Sequence, residues 1–248
     1  MQKRAEFCNL NFNLLHKNEL FDRADDELKC IATVNAQFIV LANTNARYMN
    51  YINSHYATFD GEIPLKKARK TLEVFADAEK LPGSEIVYDF ASFAKAHGLK
   101  MFFLGGKAES NVLAVLKIRK EYGIEIEGFS PVFENYPFSE QFVESCRKRI
   151  SEFQPDILFV GFGAPKQEFF IEDNFEFLKN CGVKYAIGSG GTFEFVSGTI
   201  ERAPKWVQNA GLESVFRLCK EISWMRFKRI LYSLRFYRYV RRKPEFEE

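Results

Sequence analysis

The residues of this chain whose types and spacing could do chemistry fall into two groups. The first is a set of glycines that each follow a short apolar run: Gly105 and Gly106 in "KMFFLGGKAES", Gly161 and Gly163 in "DILFVGFGAPKQE", and Gly188, Gly190 and Gly191 in "KYAIGSGGTFEF". Where a strand leaves a sheet through glycine and enters a helix, the first helical N–H groups have no intrahelical partner and carry partial positive charge, so phosphate is a favoured guest. Lys166, Gln167 and Glu168 stand directly behind one of these turns, where a cation could face phosphate and two hydrogen-bonding side chains could address a nucleotide or a sugar. The second group is polar and acidic: Thr33 and Asn35 in "CIATVNAQF", and Asp60 in "YATFDGEIP", a turn-prone stretch after an apolar patch. A carboxylate there could act as a general base, although an Asp-Gly pair on its own reads as an ordinary turn.

Several chemistries lose support at once. "GFGAPK" holds GxG without the third glycine of a dinucleotide fingerprint, and no GxxxxGK[ST] occurs, so a Rossmann oxidoreductase remains only a runner-up. There is no Asp-x-Asp element and no HExxH, and the histidines are limited to 16, 55 and 97, which leaves a dedicated metal site unsupported.

The elements that must position these residues follow from the same runs. Strand, glycine turn and helix recur at intervals of tens of residues, the pattern of an α/β fold with a largely parallel sheet and flanking helices. "SEIVYDFASFAKAHG" reads as a helix opening near Ser84 and closing at Gly98, and "FSEQFVESCRKRISEFQP" as one capped by Ser139 that stops before Pro155. In such sheets ligands gather beyond the carboxyl ends of the strands, so the glycine loops form one candidate rim.

The bulk properties agree with a folded globular protein: 248 residues, 46% hydrophobic and 27% charged, with 27 phenylalanines. Five cysteines without a CxxC pair point to a reducing cytoplasm, and no apolar run approaches the roughly 20 residues that span a bilayer. Charge is uneven. Residues 202 to 243 carry twelve Lys or Arg against two Glu, a balance of +10, which leaves −8 for the rest of a chain whose net charge is +2. Apolar residues at 227, 230, 231, 234 and 237, interspersed with Arg226, Arg229, Arg235, Arg238 and Arg242, describe a basic amphipathic helix or helix pair. It suits anionic lipid headgroups or a face of its own domain; nucleic acid has no recognisable module to support it.

"PDILFVGFGAPKQEFFIEDN", taken with "GSGGTFEFVSGTIERAPKWVQNAGLESVFRL", resembles the WecG/TagA/CpsF family, glycosyltransferase family 26, from about Ile31 to about Ile230. "GAPKQE" and "ERAPKW" are its most specific pieces, and "TVNAQFIVLAN", "FDG", "GSE" at 83 to 85 and "FLGGK" match in order. Lys80 stands where the family usually has arginine, and Glu85 where it has aspartate. The resemblance implies a Rossmann-like catalytic domain over 1–210 and a basic, membrane-associating appendage over 211–248. It implies a metal-independent, inverting transferase without cofactor, moving N-acetylmannosamine or a related sugar from a UDP donor to a polyprenyl-diphosphate-linked acceptor in bacterial surface polysaccharide synthesis. The location it implies is cytoplasmic, peripheral at the inner face of the cell membrane. Carried onto this sequence, Asp60 is the base with Thr33 beside it; Asn35, Gly105, Gly106, Gly163, Lys166, Gln167, Glu168 and Gly190 bind the donor; and Lys80, Arg217, Arg226 and Arg229 address the acceptor or diphosphate. A non-catalytic membrane-surface scaffold that binds nucleotide sugar is the competing reading. Oligomeric state is left open, a homo-oligomer included.

Overall fold

The four apolar runs expected as strands are strands, and two others join them in one sheet. A computed structural model of the chain describes residues 3–14, 17–21, 27–220 and 224–241, leaving out the side chains of Asn18, Arg217, Lys220, Met225 and Arg226. The strands are β1 Arg4–Phe7, β2 Leu10–Asn13, β3 Lys29–Val34, β4 Tyr56–Phe59, β5 Met101–Gly105, β6 Ile126–Phe129, β7 Ile157–Gly161 and β8 Tyr185–Gly188. β1 and β2 form an antiparallel hairpin, and the other six form one parallel sheet in the order β4-β3-β8-β7-β5-β6, flanked by helices. The fold is α/β and Rossmann-like. The interior strands β3, β5 and β8 are buried at every residue, which is why they read as unbroken apolar runs rather than as alternation.

The helices are α1 Ala36–Thr44, α2 Ala46–Ser54, α3 Glu62–Thr71, α4 Gly83–His97, α5 Ala108–Tyr122, α6 Glu140–Phe153, α7 Lys166–Asp173, α8 Phe175–Asn180, α9 Thr192–Ser197, α10 Lys205–Asn209, α11 Glu213–Lys220, α12 Trp224–Leu234 and α13 Phe236–Tyr239. Side-chain caps explain several starts: Asn35 Oδ1 accepts from Phe38 N at 3.1 Å, Asn45 Oδ1 from Tyr48 N at 2.9 Å, and Ser139 Oγ from Phe142 N at 3.2 Å. α6 stops at Gln154, in the left-handed region ahead of Pro155. Ser84 falls one residue inside α4 rather than at its cap.

Two compact units divide the chain, Met1–Asp22 with Ala32–Pro82 and Arg202–Glu248, and Arg23–Ile31 with Gly83–Glu201. In the first, the core is aromatic: the Phe12 and Phe59 rings stack 4.0 Å apart, with Phe7 and Phe75 against both. α12 and α13 pack on α1, with Phe236 and Tyr239 buried and Tyr232 Oη 3.4 Å from Thr44 Oγ1. Trp224, Phe227, Leu231, Leu234 and Tyr237 remain exposed beside exposed Lys228, Arg229, Arg238 and Arg241. The basic segment therefore docks on its own unit and still presents an apolar, cationic surface. In the second unit, Phe90, Phe159, Phe103 and Phe193 form a run of ring contacts through the core. Among the described residues no helix is long and apolar enough to cross a membrane.

Candidate functional site

The first set of expected site residues lies at the carboxyl ends of β3 and β4. Thr33 is buried in β3, and Asn35 leaves that strand to cap α1. Asp60 follows β4, and its N–H donates to Val34 O at 3.0 Å, which extends the pairing of the two strands by one step. That step brings two side chains 25 positions apart into contact: Asn35 Nδ2 donates to Asp60 Oδ2 at 3.4 Å. Asn35 is itself immobilised, because its Oδ1 is spent on the α1 cap. A carboxylate oriented by a fixed amide donor is a chemically sensible proton acceptor.

Lys80 reaches the same strand end from the other side. Its backbone bridges Phe59 in parallel, and Leu81 N donates to Phe59 O at 2.8 Å. Its ammonium is paired: Lys80 Nζ lies 3.4 Å from Glu62 Oε2, while Lys66 Nζ lies 3.4 Å from Glu62 Oε1. Glu62 was not foreseen as part of this set. The only sequence signal was its place in the first turn after Asp60-Gly61, with Lys66 four residues on.

The second set lies at the carboxyl ends of β5, β7 and β8. The chain leaves β5 toward β6 and leaves β7 toward β8, in opposite directions across the sheet, so the β5/β7 boundary is a topological switch point of the kind where ligands bind. Gly105 pairs in register with Gly161, and Gly106 N donates to Gly161 O at 3.0 Å. Both expected glycines of the first loop are packed by rings: a Cβ at Gly105 would meet Phe162 at 2.7 Å, and one at Gly106 would meet Phe193 at 2.7 Å. Their lack of a side chain is used by the protein's own aromatics.

Gly163 and Gly190 differ. Each has positive φ, +79° and +48°, and a Cβ at either would meet nothing within 4 Å. Their N–H groups converge on one acceptor, Gln167 Oε1, at 3.0 and 2.9 Å respectively. Gln167 Nε2 in turn donates to Glu168 Oε1 at 2.9 Å. Both side chains are buried, so at these two amides the place expected for a ligand oxygen is filled by a carboxamide oxygen of the protein. Burial pushes the Glu168 carboxyl up to about 7, against the opposing effect of the bond from Gln167, and Glu168 Oε2 is buried without a hydrogen-bond partner.

Lys166 turns toward the segment after β6: its Nζ donates to Glu134 O at 3.2 Å and stands 4.1 Å from the centre of the Phe133 ring. Partial burial lowers its pKa. Of the expected cations in the C-terminal segment, Arg229 is exposed on α12, while the side chains of Arg217 and Arg226 lie outside the described residues. Among the described residues no group of three or more His, Cys, Asp or Glu is placed to hold a metal ion. A family model described as "Glycosyl transferase WecG/TagA/CpsF family" matches residues 5–246.

Proposed function

Since the chain belongs to the WecG/TagA/CpsF family of glycosyltransferases, which act in cell-envelope polysaccharide synthesis, we propose that it moves N-acetylmannosamine or a closely related sugar from a UDP donor to a polyprenyl-diphosphate-linked acceptor. The reaction is a single inverting displacement without a metal ion. The bond from the acceptor oxygen to the anomeric carbon forms as the bond from that carbon to the β-phosphate oxygen breaks, and UDP departs with the electron pair.

The observation that carries this reading is the Asn35–Asp60 pair at 3.4 Å. The attacking hydroxyl must lose its proton, and Asp60 accepts it, as a positioned carboxylate does in general base catalysis. Asn35 holds the carboxylate in place, and Thr33 offers its hydroxyl to the substrate. Donor binding falls to the loops at Gly105, Gly106, Gly163 and Gly190, with Lys166, Gln167 and Glu168 behind them. Lys80, Arg217, Arg226 and Arg229 supply positive charge for the diphosphates, whose oxygens guanidinium groups match two at a time. For Lys80 this requires release from Glu62, a weak, partly exposed pair.

The acceptor is a lipid, and the exposed Trp224, Phe227, Leu231 and Leu234 beside Lys228 and Arg229 support peripheral binding to an anionic cytoplasmic leaflet. α12 and α13 pack on α1, the helix that Asn35 caps, so the membrane-facing segment rests on the element that begins beside the base.

A panel of UDP-sugars tested for binding and for transfer to a short-chain polyprenyl-diphosphate acceptor decides the matter. Asp60→Ala is expected to lower turnover by about 100-fold or more while donor binding survives. Unchanged turnover removes Asp60 from the chemistry, and donor binding with no transfer by the unaltered protein favours the scaffold reading.

A further inference from the structure

We propose that Glu168 is a positioning residue: by accepting a hydrogen bond from Gln167 Nε2 it fixes the orientation of that carboxamide, and through it the two glycine loops of the donor site. The consequence for donor binding rests on the transferase reading above; the positioning itself does not.

Gln167 ties together loops that follow different strands. Gly163 follows β7 and Gly190 follows β8, yet both N–H groups end on Gln167 Oε1. The carboxamide works in only one of its two orientations. Rotated by half a turn, it would set Nε2, a donor, against two N–H donors, and both backbone groups would lose their acceptor. Glu168 Oε1 supports the working orientation, because it receives Nε2 and so leaves Gln167 Oε1 turned toward the two N–H groups.

The strand end is shaped to admit this pair. At Gly188, the last residue of β8, a Cβ would stand 2.8 Å from Gln167 Nε2 and 2.8 Å from Glu168 Oε1. Any side chain there would displace both groups. The rest of the Glu168 carboxyl does no comparable work: Oε2 is buried without a partner, and burial favours the uncharged form. What the site uses is the acceptor oxygen rather than the charge, and a carboxylic acid, a carboxylate and a carboxamide all possess one.

That separates two substitutions. Glu168→Gln keeps an acceptor oxygen at nearly the same position, whereas Glu168→Leu removes it and strands Gln167 Nε2 in the interior. The full-length protein and both variants are compared by amide hydrogen exchange at Gly163 and Gly190 and by calorimetric titration with UDP. In Glu168→Leu, exchange at both amides is expected to speed up by about 10-fold or more as the loops open locally, and UDP binding to weaken by about 10-fold, the scale of a lost hydrogen bond in a buried site. In Glu168→Gln both are expected to stay within about 3-fold of the unaltered protein, a difference within the spread of near-neutral substitutions.

Unchanged exchange in Glu168→Leu overturns the proposal. So does loss of protection in Glu168→Gln equal to that in Glu168→Leu. If Glu168→Leu does not fold, Glu168→Gln decides alone: retained protection and UDP affinity support the acceptor role, and their loss refutes it. If the exchange pattern is as expected but the unaltered protein binds no UDP, the nucleotide reading of the site falls and the positioning role stands.

Discussion

Glu168→Gln also tests whether the buried carboxyl is a stability liability at neutral pH. Burial raises this group from an ordinary 4.5 to about 7. Well below pH 4.5 the group is protonated in both the folded and the unfolded chain. Between 4.5 and about 7 the unfolded chain releases the proton and the folded chain keeps it, so the contribution present at low pH is progressively lost as pH rises. At about 1.4 kcal/mol per pH unit, the full loss is about 3 kcal/mol, most of which falls between pH 5 and pH 8. Glutamine does not titrate, so the stability difference between the two proteins isolates this one group from every other ionisation. Urea unfolding followed by circular dichroism at pH 5, 6, 7 and 8 gives both curves. The difference is expected to move by about 2 to 3 kcal/mol in favour of Glu168→Gln across that range. A difference that stays constant within about 0.5 kcal/mol, the usual size of a neutral substitution, would refute the reasoning, because it requires a carboxyl that ionises at its ordinary pH despite its burial.

Three further outcomes are expected. Phe236→Ala and Tyr239→Ala each remove a ring buried against α1, and each is expected to cost about 3 to 5 kcal/mol in urea unfolding. Deleting everything after Gly211 would therefore destabilise the first unit as well as remove the basic segment. Leu231→Ser with Leu234→Ser alters exposed positions, so stability should hold within about 0.5 kcal/mol while co-sedimentation with vesicles containing anionic lipid falls; equal co-sedimentation would remove these residues from membrane binding. Glu62→Gln releases Lys80 from its partner and should change stability by less than about 1 kcal/mol while lowering KM for the diphosphate-linked acceptor, and an unchanged KM argues against a diphosphate role for Lys80.

The parts of the fold that were legible in the sequence are those buried on both faces. β3, β5, β7 and β8 each announce themselves because a central parallel strand has no solvent face to break its apolar run. The edges were harder. β4 and β6 are four residues long, and β6 is buried only at Ile126. The hairpin of β1 and β2 was also missed, and its turn explains why. Cys8 and Asn9 both take positive φ in a two-residue connection, where Asn-Gly or Asp-Gly would have been the readable signal. The turn is held from elsewhere: Asn9 Nδ2 donates to Asn43 Oδ1 at 2.7 Å, and Asn43 Nδ2 donates to Cys8 O at 3.0 Å. A partner 34 residues away leaves no local trace.

The site shows the same division between what residue types announce and what only tertiary contact decides. "GAPKQE" stands out because polar residues interrupt an apolar stretch, and residue type alone suggests side chains reaching a ligand. Gln167 and Glu168 instead turn inward, and the loops they order are Gly163, four residues back, and Gly190, 23 residues ahead. One signal pointed that way: Gln167 and Glu168 run straight into Phe169, Phe170 and Ile171, and five consecutive buried positions leave that stretch of α7 no solvent face. A glutamine and a glutamate in such a run must satisfy each other or the backbone, because an unmet polar group in the interior costs about 1 to 3 kcal/mol. Gly105 and Gly106 carry the complementary lesson. Glycine at a strand end permits close approach by something, and here the rings of Phe162 and Phe193 take that space. Gly163 and Gly190, the two glycines that remain open on their Cβ side, are the ones whose N–H groups Gln167 holds, so the proposed donor site depends more on the orientation of one buried carboxamide than on the number of glycines along the rim.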